Sequence, residues 1–484
     1  MKRNYSKLVK IILRVLAIEC VVLVIVASIY FGMKLKDHDK EKDELANAST
    51  EVIEQENHPK IENDSNMSQG TSSETEDLLL NVEREELPQE EIEAHAINEQ
   101  KEEKRKVVLQ KADILALGYD YDQAIEVLRA YEDYTSEKEL QDKVAIYEAL
   151  KMELDPYGAY ESADEISHVF FHSLIVDTAK AFDGDHMSNG YNYWMTTVDE
   201  FNRMMEQMYE AGYVLISIHD IASEEKQEDG TIKMVEGEIL LPKDKKPFVL
   251  SQDDVNFYEY MKKDGFARRI VIDDQGYPAC EMLVDGQTVV ARDFDVVPLL
   301  EKFIEDHPDF SYRGARGIIG VTGYEGVLGY RTNETESETY EEDVAQAKEV
   351  ATRLKELGWE FASHSYGHGH LGQASVSEVK RDSERWDTAI ASIIGDTDIY
   401  LFPYGEDIQE GIALYDNEKY KILYDLGFRY YCGVYAYPWI QVKNHYVRMT
   451  RRNLDGYTMN FYPERLTDLF DVETTMDDAR PEFK

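Results

Sequence analysis

The sequence predicts an α/β fold, a (β/α) barrel or a distorted version of one, over roughly its last two-thirds. Two observations carry that expectation. Apolar runs of strand length alternate with amphipathic stretches of helix length from Ser167 to Val434. Such repeated strand-then-helix order implies parallel strands joined by right-handed crossovers. Three polar motifs, Asp253-Asp254, His364 with His368, and Phe402-Pro403-Tyr404-Gly405, each fall at the end of such a run. In a barrel those strand ends share one face, where active sites are built. At 484 residues the chain is too long for one ordinary domain.

Residues 1–36 read as a cytoplasmic tail and transmembrane anchor. Lys2, Arg3, Lys7 and Lys10 lead into an apolar stretch interrupted by Arg14 and Glu19. From Ile11 to Phe31 it has the length that crosses a bilayer, about 20 residues. The basic flank puts the N-terminus inside and everything after Lys36 outside. The expected location is therefore the cell membrane, single-pass, with the barrel extracellular. A cleaved signal peptide is the competing reading, but no small-x-small site follows, which favours an uncleaved anchor.

Residues 37–105 hold 22 Asp/Glu against 7 Lys/Arg and little apolar content. Such a stretch cannot offset its chain entropy by burial and is expected as a disordered acidic linker, with fluctuating helix over Glu83–Lys106. Residues 106–160 change character. Val108, Ala112, Leu115 and Ala116 follow helical spacing, Gly118–Tyr121 turns the chain, and two further helices are expected around Ala124–Tyr131 and Val144–Leu150. Leu117-Gly118-x-x-Tyr121-x-x-Ala124 resembles the first half of one tetratricopeptide unit. A lone unit cannot bury its own face well, so it packs on the next domain or docks a protein partner.

The barrel is expected over 165–470, with 471–484 as a C-terminal tail. Val169–Val176 reads as a buried strand. A helix follows over Thr197–Gly212, with Phe201, Met204, Met205 and Met208 on one face and Gly212 as its stop. Val214–Ile218 and Phe248–Ser251 are strands, and Asp264–Gly286 is a hairpin insertion. The helix Val296–Glu305 precedes the strand Gly317–Thr322, and the helix Tyr340–Leu357 precedes the strand Glu360–Ser363. The helices Val376–Ile394 and Lys419–Leu426 and the strands Ile399–Phe402 and Arg429–Val434 complete the series.

His364 and His368 are the strongest local sign of chemistry. Neutral imidazoles bind divalent metals readily, and two from one tight segment cost little ordering entropy to bring together. Ser251-Gln252-Asp253-Asp254, His364-Ser365-Tyr366-Gly367-His368 and Phe402-Pro403-Tyr404-Gly405, in that order, resemble the motifs of the NodB-type polysaccharide deacetylases, over roughly Glu165–Leu469. The resemblance implies that Asp254, His364 and His368 hold a divalent metal, with Zn²⁺ the expected ion, and leave a position open for water. It further implies that Asp253 is the general base and that the backbone N–H of Tyr404 meets the oxyanion. The activity implied is metal-dependent hydrolysis of N-acetyl groups from an N-acetylhexosamine polysaccharide. The alternative is a catalytically degenerate module for glycan binding or scaffolding.

The chain departs from the family pattern in places. Val255 stands where glycine usually follows the acidic pair, and Leu401 where many members place an arginine that orients the base. The late Leu-x-x-His is absent. A branch resembling poly-N-acetylglucosamine deacetylases has an early histidine at a strand end, which makes His172 the candidate general acid and His219 the runner-up. His370 is expected outside the ligand set. Tyr324, Tyr366 and Trp439 are expected either to stack on sugar rings or to pack in the barrel. The formal net charge of −45 argues against nucleic acid or anionic lipid as a partner; the partners expected are an N-acetylated glycan, implied by the resemblance, and the membrane, through the N-terminal helix. Cys280 and Cys432 read as small apolar residues rather than a disulfide framework.

Overall fold

The computed structural model describes residues 89–157 and 165–483. The anchor expected over 1–36, and residues 37–88 of the acidic linker, lie outside the described residues. Among the described residues no helix is long and apolar enough to cross a membrane.

Three helices come first: α1 (Gln89–Leu117), α2 (Tyr121–Arg129) and α3 (Lys138–Lys151). Helix α1 starts inside the stretch expected as linker, so residues 89–105 are helical. The Asp120 carboxylate caps α2 by accepting from the Gln123 N–H at 3.1 Å. Ala112, Ala124, Leu128, Leu140 and Val144 form the shared core. The α1–α2 turn rests on the barrel. Tyr119 stacks on Tyr312, and Gly118 accepts from the Arg313 N–H at 2.8 Å. A Cβ on Gly118 would come within 3.1 Å of the Ser311 carbonyl oxygen, so the close approach favours glycine.

The barrel strands are β1 (Ser167–Phe171), β2 (Tyr213–Leu215), β3 (Lys246–Gln252), β4 (Ile318–Val321), β5 (Glu360–Ser363), β6 (Ile399–Leu401), β7 (Tyr430–Val434) and β8 (Tyr446–Asn453). Seven of them close a parallel ring in the order β4-β5-β6-β7-β8-β1-β3 and back to β4. Strand β2 stands outside the ring and pairs the first half of β3, whose second half pairs β4 on the same edge. The expected strands recur within a few residues, except that β8 lies in a stretch with no expected element.

Alternation along the strands divides the apolar residues into two sets. Val249, Ile318, Ala362, Leu401, Cys432 and Met449 fill the barrel. Leu250, Ile319, Phe361 and Tyr400 face the surrounding helices, where Phe201 and the three methionines of the helix Val198–Glu210 lie. Both described cysteines are free and buried.

The C-terminal tail is a correction. Residues 471–483 belong to the barrel domain: the Arg480 guanidinium pairs with Glu200 at 2.6 Å, both almost wholly buried, and Thr475 is fully buried. The short tail sequence, rich in acids, hides this because its partners lie near residue 200.

Candidate metal centre and active site

Strand ends supply the site, as the motif positions led one to expect. Asp253 continues the β3 ladder by donating its N–H to Phe171 O at 2.8 Å. The backbone then turns sharply, with Asp254 at φ 57°, so the two adjacent carboxylates diverge. His364 follows β5, still on the ladder through Val321 O at 3.1 Å. Its Nδ1 lies 2.8 Å from Leu401 O, which fixes Nδ1 as the protonated nitrogen and leaves Nε2 free to ligate.

Ser365 (φ 58°) and His368 (φ 49°) bend the chain back so that the second imidazole faces the first. The Asp382 carboxylate, on the helix Val376–Trp386, clamps that loop by accepting from the N–H groups of Tyr366 and Gly367 at 2.8 and 2.9 Å. Together with Tyr404 (φ 57°), four non-glycine residues of the site lie in the left-handed region, a strain characteristic of functional loops.

Ligand-type atoms of Asp254, His364 and His368 all lie within 4.8 Å of one another. Two imidazoles and one carboxylate suit a divalent ion with positions left for water. His368 fits that role further, because burial lowers its pKa and keeps the ring neutral. The residues present therefore fit the metal.

Around this trio lie the other expected residues. Asp253 is 3% exposed, and its Oδ2 lies 3.7 Å from His364 Nε2. Its Oδ1 accepts from Arg451 Nη1 at 2.6 Å. Burial pushes the Asp253 carboxyl up, but the adjacent Arg451 guanidinium outweighs it and holds it well below the usual carboxylate range. His172 follows the last residue of β1, near enough to act electrostatically on Asp253, His368 and the buried Asp455. Tyr404 sets its ring 4.6 Å from that of His368 and stacks on His370 at 4.1 Å. All six sequence-derived residues thus gather at one rim.

Residues 332–431 match the family model described as polysaccharide deacetylase. The matched segment holds His364, His368 and Tyr404, while Asp253 and Asp254 precede it. The chain matches none of the curated proteins. Among solved structures, it is similar to the Streptococcus pyogenes deacetylase PplD in complex with acetate, at 14% identity and TM-score 0.33 over 63% of this chain and 97% of that one. It is also similar to a de-N-acetylase from Aggregatibacter actinomycetemcomitans, at 13% identity and TM-score 0.36, over 63% and 100%. A CE4 family pseudoenzyme from Bacillus anthracis matches at 12% identity and TM-score 0.20, over 36% and 54%.

The guanidinium on Asp253 comes from Arg451 of β8, not from the position of Leu401, which points into the barrel. Reading the sequence missed it because Tyr446–Asn453 carries three arginines and looks like surface. Arg448, Arg451 and Arg452 are in fact 2, 0 and 3% exposed. The alternation Val447, Met449, Arg451 was the available signal.

His219 is at the wrong end. Its Nδ1 bonds Glu360, the first residue of β5, whereas His364 follows the last, and its Nε2 lies 3.1 Å from Asp398. It cannot be the acid. His370 pairs with Glu406 at 3.0 Å, outside the ligand set as expected. Tyr324 stacks on Tyr258, the Tyr366 ring lies under Arg385, and Trp439 lies near Arg448.

Proposed function

We propose that this domain removes N-acetyl groups from an N-acetylhexosamine-containing polysaccharide at the cell surface, with a divalent metal, Zn²⁺ by the donor set, held by Asp254, His364 and His368. The convergence of that trio with Asp253 at one barrel rim carries the reading. When bound, the ion would supply Lewis acidity and bring the pKa of water toward neutrality. Asp253, kept ionised by Arg451, accepts the proton of the water that adds to the acetamide carbonyl carbon. The Tyr404 N–H faces the oxygen that gains charge in the tetrahedral intermediate. His172, beside Asp455, donates a proton to the departing nitrogen as the C–N bond breaks, giving acetate and a free amine.

The outward, membrane-tethered placement is proposed from the charge and hydropathy of residues 1–36. A degenerate, glycan-binding module draws support from Leu401 and Val255; the guanidinium of Arg451 on Asp253 answers the first of these and leaves the second.

Acetate release from N-acetylglucosamine oligomers, assayed before and after chelation, is the test. Activity should vanish on chelation and return with Zn²⁺. Asp253→Asn should lose at least about 100-fold in kcat, the lower end of the span expected of a general base, while retaining metal. An active Asp253→Asn variant would sink the mechanism.

A further inference from the structure

Asp254 is a ligand placed on an awkward piece of backbone. Its φ of 57° leaves the carboxylate on a tight turn, and its Oδ2 lies 3.7 Å from His368 Nε2. The other oxygen is taken. Tyr258, four residues on and 5% exposed, donates its hydroxyl to Asp254 Oδ1 at 2.7 Å.

The ring that carries this hydroxyl is itself held on both faces. Tyr260 lies parallel to it at 5.7 Å and 11°, and Tyr324 at 5.3 Å and 14°. Tyr258 is thus the middle of three near-parallel rings, with its partners 51 and 40% exposed at either side. The loops bearing the stack are joined beneath it. Asn256 Oδ1 accepts from the Thr322 N–H at 3.1 Å, and its Nδ2 donates to Thr322 O at 2.9 Å. Thr322 Oγ1 lies 3.4 Å from the Tyr258 hydroxyl.

We propose that Tyr258 is a positioning residue for the metal site: its hydroxyl occupies Asp254 Oδ1, so that Asp254 presents Oδ2 alone to the ion, and the Tyr260–Tyr258–Tyr324 stack fixes that hydroxyl in place. A ligating carboxylate rotates about its Cβ–Cγ bond unless something holds it, and partners of this kind hold ligands to one orientation. The tyrosine stack makes Asp254 a one-oxygen ligand by occupying the alternative. The phenol touches neither the ion's expected position nor the reacting atoms, so its action runs through Asp254.

The inference rests on the metal-site reading but not on the substrate or the reaction, and its test uses no substrate. Tyr258→Phe keeps the ring stack and removes only the hydroxyl. Zn²⁺ affinity of the full chain, measured by chelator competition, should fall about 10- to 100-fold, the span typical of lost partners behind a ligand. With Co²⁺ in place of Zn²⁺, the visible absorption bands of the variant should shift, because a second carboxylate oxygen can now enter the coordination sphere. Tyr260→Phe, which keeps the stack and the Tyr258 hydroxyl, should leave both readouts within threefold of the parent.

An unchanged affinity and an unchanged Co²⁺ spectrum in Tyr258→Phe would overturn the proposal. So would a parent chain that binds no divalent metal. Metal binding that depends on Tyr258, in a chain that releases no acetate, upholds the proposal and rejects the deacetylase reading.

Discussion

Arg451 is the residue on which the charge of Asp253 depends. Its guanidinium is fully buried against Asp253, with further contacts to Ser251 Oγ at 3.4 Å and Phe402 O at 3.5 Å. Below Ser251 lies His168, fully buried, whose Nε2 meets the same hydroxyl at 2.9 Å; burial, then the nearby Arg451 charge, keep its pKa well below the ordinary value, so it is neutral. Breaking a buried ion pair from one side leaves the other charge uncompensated, at a cost of about 3–5 kcal/mol. Arg451→Leu is therefore expected to destabilise the domain by that amount in urea unfolding. A loss under 1 kcal/mol would mean that Asp253 has another cation within reach. The family resemblance located the acid pair and both histidines, yet it looked for this cation at Leu401. Sequence motifs record where residues stand in the chain, and a guanidinium delivered from another strand leaves no mark in them.

At the scale of elements, the two ends of β5 do different work. Past its last residue stands His364, and at its first residue Glu360 meets His219. Burial opposes charge on His219, but its bonds to Asp398 and Glu360 outweigh that and push its pKa up to about 10. A histidine with a folded pKa raised above the unfolded value of about 6.5 contributes stability in full below pH 6.5. That contribution is lost as pH rises through 10. The difference in Tm between the parent and His219→Gln should accordingly be largest at pH 6 and shrink toward zero by pH 10.5, with thermal melts at five pH values as the check. A gap that widens with pH would show that His219 is held neutral. The strands and helices of the barrel were legible because their apolar runs are clean and helix ends are marked, by Thr197, Ser375 and Gly358. What was not legible was direction. His219 and His364 both follow an apolar run, and pairing β2 to only the first half of β3 is what puts His219 at the opposite end.

For the molecule as a whole, the balance of charge shapes which polymers can reach the rim. With −45 on the full chain, an anionic glycan meets repulsion that salt screens, whereas neutral N-acetylglucosamine oligomers do not. The KM for neutral oligomers should change less than twofold between about 10 and 150 mM salt, while that for an anionic wall polymer should fall severalfold. Equal salt dependence for the two would mean that a local basic patch overrides the total. The closed ring has a further consequence, which concerns synthesis. Strand β1 is among the first barrel segments made, and its neighbour on one side, β8, is made nearly 280 residues later, pairing Arg451 with His168 and Asn453 with Phe170. Until β8 emerges, the edge of β1 is an open row of backbone donors and acceptors, the feature that invites pairing with a foreign strand. Because Arg451 rides on β8, the same late arrival closes the ring and neutralises Asp253. A nascent chain halted before residue 446 holds every candidate metal ligand and both candidate proton carriers, yet has neither a finished barrel nor the cation that pairs with Asp253.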